Sequence, residues 1–469
     1  MQSSDVKKPT HRGLILAVKI VLFTVIALLM IYGLGEWLYP SGSEGSQITR
    51  RLNQAKTSEE PLDVMVLGSS TCFHSFVPKY YNELTGTNSV LLSSSMQTMA
   101  ESLALLEDTV DAGKIPGTVL LYVGPAGRFI NLHSNYSAKL FENMSLSAAK
   151  VRLFVNLRFD PDEWPDLLLK GYRAREYLEE RLDSLIPSAG AEGAYTMPDN
   201  YVDYLGNGFS ENDEPVYSAD SVMLTSKYTF SPDTVNTTVM GYVQSIAELC
   251  QSKGIRLILV APPRLPADIL LCNVVNYSSD YSVLHDYIQD LCDSYGVQFW
   301  DMNYIRPELL TMTYDMYQDS HHGNARLAFP VTQLLAEMMT KLDAGELNLS
   351  DYLYDSFDAY KAAYSTIQGF WVNTSYSKDK ARNERYFRVL IAAGNTSGYE
   401  IRAWKSSKED GEYELVQDWD ATDRVYIGSN SNKKFYYKIE IRDTETQTVQ
   451  QWGICAVGSG AGSGTVGDE

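Results

Sequence analysis

The sequence predicts an α/β protein: a parallel sheet covered by helices on both faces, preceded by one N-terminal transmembrane helix and followed by a small β-sandwich. Three observations carry this. Short β-prone apolar runs at 61–67, 89–92, 118–123, 256–260 and 297–300 alternate with helical patterns at 96–111, 239–253 and 282–294, the signature of βαβ units. Residues 13–34 form one apolar run interrupted only by Lys19, long enough to span a hydrocarbon core. Beyond about residue 347 the period changes to two, with Gly/Asn/Ser turns between runs at 385–391, 399–404 and 435–441, as in an antiparallel sandwich.

Size and composition agree with this division. A chain of 469 residues is long enough for two or three folded units, and 44% hydrophobic with 12% aromatic content suits packed cores. A formal charge of −20 and a pI near 4.8 repel phosphate backbones, and no basic patch offsets them, so a nucleic-acid partner is not expected. The five cysteines (Cys72, Cys250, Cys272, Cys292, Cys455) show no C-x-x-C spacing, which argues against a zinc site. Free buried thiols are expected, with one disulfide among Cys250, Cys272 and Cys292 left open.

From the N-terminus, Lys7, Lys8 and Arg12 precede the apolar run and Glu36 follows it, so the positive-inside rule places residues 1–12 in the cytoplasm and everything after about Tyr39 outside. A cleaved signal peptide is the competing reading; the run exceeds a usual h-region and no A-x-A site follows it. Residues 35–59 read as a linker, with a small, polar tether at 40–47. The catalytic unit is expected over 60–345. Within it, 131–231 breaks the alternation with a charged helical part at 167–185 and a Tyr/Asp/Asn/Gly-rich loop at 194–218, and reads as an insertion: a lid or binding surface, or a solvated excursion without a role. A helix running to about Lys341 closes the unit. A short helical linker at 350–364 leads into the sandwich (346–457 together), and 458–469 is a low-complexity tail.

Two constellations carry chemistry. In Val66-Leu67-Gly68-Ser69-Ser70-Thr71 a glycine turns the chain off a strand and leaves Ser70 at the head of a helix, where backbone N–H groups also face an oxyanion formed by its attack on an acyl carbon. Plain turn chemistry gives the same letters. In Gln318-Asp319-Ser320-His321-His322-Gly323-Asn324, an Asp-x-x-His turn offers a base for the serine proton and an acid to fix its tautomer. The alternatives are a surface histidine pair, or a metal held by Asp319, His321 and His322 with His74. His321 competes with His322 as the base through an Asp-x-His reading. His74, four residues after Ser70 and on the same helix face, is a second base or a buried structural histidine.

Together the two segments resemble the SGNH (GDSL-like) hydrolase family, specifically its membrane-anchored extracytoplasmic members associated with polysaccharide O-acetylation. The resemblance covers 62–341. Its continuations are Val77-Pro78-Lys79-Tyr80, Ser93-Ser94-Ser95-Met96-Gln97 and Val260-Ala261-Pro262-Pro263. It implies a three-layer, flavodoxin-like fold, with Ser70 as nucleophile and Asp319 and His322 as its proton relay, and no cofactor. The family draws oxyanion donors from Ser70's own turn, a second-block glycine and a third-block asparagine. Ser93 stands for that glycine, and the third block, Gly124-Pro125-Ala126-Gly127-Arg128, has no asparagine. Gln97 and Arg128 are candidate substitutes, and equally structural or substrate contacts.

The implied activity is that of an extracytoplasmic esterase or O-acetyltransferase acting on polysaccharide through an acyl-serine. A transferase would require a multi-spanning membrane O-acyltransferase as partner. The rival is a non-catalytic scaffold or carbohydrate-binding protein beside such a partner. Trp371, Trp404, Trp419 and Trp452 of the sandwich are candidate sugar-stacking residues or core residues.

Overall fold

A computed structural model describes residues 11–38, 44–124, 126–134, 136–159, 161–164, 167, 203–204, 209–210, 223–224, 230–271, 281–318, 321–428 and 432–459. The expected element at 168–185, the loop at 194–218 apart from the paired two-residue strands Asp203–Tyr204 and Phe209–Ser210, and the tail beyond 459 lie outside these residues. The central sheet is built from β1 (Val64–Gly68), β2 (Ser89–Ser93), β3 (Thr118–Tyr122), β4 (Arg256–Ala261) and β5 (Gln298–Asp301), all parallel in the order β2-β1-β3-β4-β5. This is the doubly wound, flavodoxin-like order, and it places a switch point between β1 and β3, where the strand order reverses. The middles of the strands are apolar because both faces are covered, so side chains alternate between two buried layers, with polar residues such as Arg256 and Gln298 at the ends.

Each helix starts and stops on a local signal. α5 (Met99–Asp111) opens on a capping box in which Thr98 and Glu101 satisfy each other's backbone N–H groups. α4 (Pro78–Thr85) begins with proline and ends at Gly86 in the left-handed region. α8 (Thr237–Lys253) and α11 (Ala325–Ala344) are capped by Asn236 and Asn324 and stopped by Gly254 and Gly345. α4 packs on α11 at one face of the sheet, while α5 and α8 pack together on the other; α10 (Tyr281–Tyr295) flanks β5.

Two sequence boundaries shift. The linker of 35–59 holds α2 (Glu44–Thr57), whose Ile48 and Leu52 are fully buried in the main core. Each such aliphatic side chain stabilises docking by roughly 2 kcal/mol, so α2 belongs to the α/β unit. The start of the insertion likewise forms α6 (Ser137–Asn143) and α7 (Ala148–Leu157). This hairpin packs on α2 and α5 through Leu140, Phe141, Leu153 and Leu157.

α1 (His11–Leu38) includes the apolar stretch Gly13–Leu34, long enough to cross a membrane and nowhere buried; anchors and signal sequences share that property.

The C-terminal part begins with α12 (Phe357–Ala363) and forms two sheets, antiparallel except where Met223–Leu224 runs parallel to Gly369–Val372. One orders β7 (Ser377–Asp379), β8 (Glu384–Ala392), β6 (Gly369–Val372) and a two-residue strand, Met223–Leu224, with β11 (Arg424–Tyr426) also on β8. The other runs β10 (Glu414–Asp420), β9 (Tyr399–Ser406), β12 (Phe435–Asp443), β13 (Val449–Val457). Alternate residues, among them Phe370, Phe387, Ile401, Ile439 and Val457, share one core.

Candidate active site

The nucleophile turn lies at the carboxyl end of β1. Gly68 is required there: a Cβ would overlap Cys72 Cβ and stand 2.8 Å from Tyr122 Cβ. Ser69 is extended, and its side chain and that of Thr71 donate to the Gly124 carbonyl at 3.3 and 3.2 Å, tying the turn to the end of β3. This leaves Ser70 as the first residue of α3 (Ser70–Phe73), half-buried at the sheet's open end, with Cys72 N–H donating to Ser69 O at 2.9 Å.

His322 reaches it from the loop before α11. Tyr317 and Gly323 form an antiparallel bridge, Gln318 N–H donates to His322 O at 2.8 Å, and Asn324 N–H donates to Met316 O at 2.9 Å, so the loop is pinned at its neck. Gly323 backs onto the nucleophile segment: a Cβ would lie 3.0 Å from His74 O and 2.5 Å from Leu327 Cδ2. In this frame Ser70 Oγ and His322 Nε2 are 2.7 Å apart. The His74 and His321 ring centroids lie 5.1 and 4.0 Å from that of His322. Asp319 falls outside the described residues. Among those described, no group of three or more His, Cys, Asp or Glu residues could hold a metal ion.

Ser93 is buried and its hydroxyl donates to Ser69 O at 2.7 Å, linking β2 to the nucleophile turn. The conformation that favours glycine occurs three residues later. Gln97 N–H donates to Ser94 O at 3.1 Å, closing a turn whose third residue, Met96, has φ 51° and is exposed. A non-glycine residue there is uncommon and points to a functional corner. Sequence reasoning missed it because a methionine does not advertise positive φ; its place just before the Thr98–Glu101 capping box was the available signal.

Gln97 and Arg128 do not reach the open surface; both are buried behind this turn. Gln97 Nε2 donates to Leu92 O and Ser102 Oγ at 3.3 and 3.0 Å, its Oε1 accepts from Ser94 at 3.1 Å, and Arg128 Nη2 donates to Ser102 Oγ at 2.7 Å. Burial lowers the Arg128 pKa to about 10, against the raising influence of Cys72 and Glu101. Of the readings open for these two side chains, burial favours the structural one.

A histidine–carboxylate pair, His285 Nδ1 to Asp301 Oδ2 at 2.8 Å, lies at the end of β5. Tyr304 stacks on that ring at 4.5 Å, and Tyr281 and Asn303 share the carboxylate. Burial opposes protonation of His285, but the Asp301 hydrogen bond and charge outweigh it and raise its pKa.

Of the sandwich tryptophans, Trp371 packs against the α/β core. Trp404, Trp419 and Trp452 lie on the β10-β9-β12-β13 sheet under cations: Arg402 over Trp404 and Trp419, Arg442 over Trp419, Lys438 over Trp404 and Trp452. Of the cysteines, Cys72, Cys250, Cys292 and Cys455 are free and buried, so Cys250 and Cys292 are not bridged to each other; Cys272 lies outside the described residues.

No protein-family model matches this sequence, and no curated protein matches it. Among solved structures the chain is similar to a suggested acylhydrolase from Bacteroides fragilis, at 12% identity and a TM-score of 0.28 over 62% of this chain and 95% of that one. It is also similar to a GDSL-like lipase from Bacteroides thetaiotaomicron, at 12% identity and a TM-score of 0.28 over 64% of this chain and 98% of that one. An engineered protein aligns over 89% of this chain and 98% of its own at 12% identity and a TM-score of 0.14.

Proposed function

We propose that this chain is a serine acyl hydrolase or O-acyltransferase of the SGNH type, anchored by α1 with residues 1–12 in the cytoplasm and the catalytic domain outside, acting on O-acetyl groups of polysaccharide. The observation that carries the reading is the 2.7 Å contact between Ser70 Oγ and His322 Nε2. An imidazole nitrogen at that distance can take the hydroxyl proton as Oγ attacks the acyl carbon. The tetrahedral oxyanion would be received by the N–H groups of Ser70 and of Met96, two backbone donors at the ends of adjacent strands. His322 then returns the proton to the leaving oxygen, and water or a sugar hydroxyl resolves the acyl-serine through the same relay in reverse. Asp319, three residues before His322, is the proposed carboxylate on Nδ1.

The anchored, outward-facing placement rests on the length of the 13–34 run and the cationic flank before it. The acetylated polysaccharide and a multi-spanning acyltransferase partner rest on the sequence resemblance. The test is acetate release from p-nitrophenyl acetate and from an acetylated glycan by the wild type beside Ser70→Ala. Turnover that falls by at least about 10³-fold in the variant supports the reading. Equal rates would turn the chain into a scaffold with this fold.

A further inference from the structure

α2 enters the α/β domain from the end that holds Ser70. Its last turn is tied to the opposite end of the strands: Lys56 Nζ pairs with Asp108, near the end of α5, at 2.8 Å, and Lys114 Nζ bonds Ser58 O, where the chain turns directly into β1. Further back, Arg51 Nε donates to Leu91 O, midway along β2, at 3.2 Å. Glu44 lies roughly 10 Å further along the helix axis, past the level of Ser93, which is only about 7 Å beyond Leu91 on its strand. The chain therefore comes from α1 to the carboxyl ends of the strands. Residues 39–43, between α1 and α2, can span at most roughly 20 Å.

The hairpin beside α2 has an unusual outer surface. Leu146 is 90% exposed, Val155 67%, Val151 57% and Trp164 43%, and Trp164 contacts Phe154 edge-on at 5.6 Å. Val151 and Val155 are one helical turn apart on the face of α7 opposite the buried Ala149, Leu153 and Leu157. Charge is balanced along this surface: residues 137–164 carry four cations (Lys139, Lys150, Arg152, Arg158) and four carboxylates (Glu142, Asp160, Asp162, Glu163), and Arg152 is paired with Glu107 and Asp111. An exposed apolar stripe ending in a tryptophan matches a surface that lies in a headgroup layer.

We propose that the α6–α7 hairpin rests on the bilayer that α1 crosses, with Leu146, Val151, Val155 and Trp164 in the headgroup layer and the Ser70 end of the domain held beside the lipid. The proposal rests on reading α1 as an uncleaved anchor. The test uses the full chain in vesicles of phosphatidylethanolamine and phosphatidylglycerol at three to one. Nitroxide labels are placed singly by Phe23→Cys, Val155→Cys and Val449→Cys, and the signal of identically treated unsubstituted protein is subtracted. Each variant must keep the wild-type thermal midpoint.

Collision with oxygen and with a water-soluble nickel chelate then reports depth. An oxygen-favoured label at Phe23 and Val155, with a chelate-favoured label at Val449, is the expected result. With Phe23 in lipid, a Val155 label as open to the chelate as that at Val449 overturns the proposal, as does one shielded from both reagents by protein. A Phe23 label outside lipid overturns the anchor itself, and the proposal with it.

Discussion

Ser70 and His322 are 252 residues apart in sequence, and their reactive atoms are 2.7 Å apart in the structure. Two glycines make that approach: Gly68 lets the chain leave β1 against Cys72 and Tyr122, and Gly323 lets the histidine loop lie on the His74 carbonyl. Neither touches Oγ or Nε2; each removes a side chain that would push the reacting atoms apart.

Gly323→Ala tests this directly. The added methyl meets Leu327 Cδ2 at 2.5 Å and His74 O at 3.0 Å, so the loop must move. Displacements of about 1 Å at a catalytic pair cost about 10²-fold. The expected outcome is a loss of that order in kcat, measured on an activated acetyl ester, with a thermal midpoint close to that of the wild type.

Met96 separates a backbone role from a side-chain role. Met96→Gly keeps the N–H and relieves a left-handed residue that costs roughly 1 kcal/mol, so activity should be retained and stability unchanged or slightly higher. Met96→Pro removes the N–H and cannot take positive φ. Loss of one oxyanion donor lowers kcat by about 10²- to 10³-fold, and steady-state kinetics of the two variants should differ by that much. Equal rates would remove Met96 from the oxyanion site.

Glu101 predicts a pH dependence of stability. Burial pushes its carboxyl up to about 7, against hydrogen bonds from Thr98 and Ser137 and the charge of Arg128, which act downward. The folded protein therefore holds this proton more tightly than the unfolded chain. The resulting stability is full below about 4.5, the ordinary value, declines as pH rises towards 7, and is gone above it. Between pH 5 and 8 the decline should be on the order of 2–3 kcal/mol, read as a falling thermal midpoint, and Glu101→Gln should flatten it.

Four thiols should be inert in the native state. Cys250, Cys292 and Cys455 are each pushed up to about 12 by burial, and Cys72 higher still, against the lowering influence of Arg128. Thiolate is the reacting species. Peptide mapping after iodoacetamide at pH 8 should find all four unmodified without denaturant and modified with it.

The strands of the central sheet were legible because a parallel sheet buried on both faces writes each strand as an apolar run, and the capped helices between them announce their ends. The two chemical segments were legible through their residue types and order, although Asp319 is not among the described residues. α2 was not: its polar composition hides an Ile48–Leu52 stripe one turn deep, and only the docked partner shows that those two residues suffice. The 137–157 hairpin was missed for a related reason, since it sits outside the strand-helix alternation yet covers α5. Gln97 and Arg128 stayed open between structural and substrate roles because a polar side chain carries no mark of burial in its letter. Met96 was invisible because backbone conformation, not side-chain chemistry, sets it apart.

The central claim is that Ser70 is the nucleophile and His322 its base, and labelling by a fluorophosphonate tests it most directly. The wild-type chain should take one adduct, located by peptide mass at Ser70, at a rate that falls by at least about 10²-fold in His322→Ala. An adduct elsewhere, or labelling of Ser70 at the same rate without His322, would contradict it.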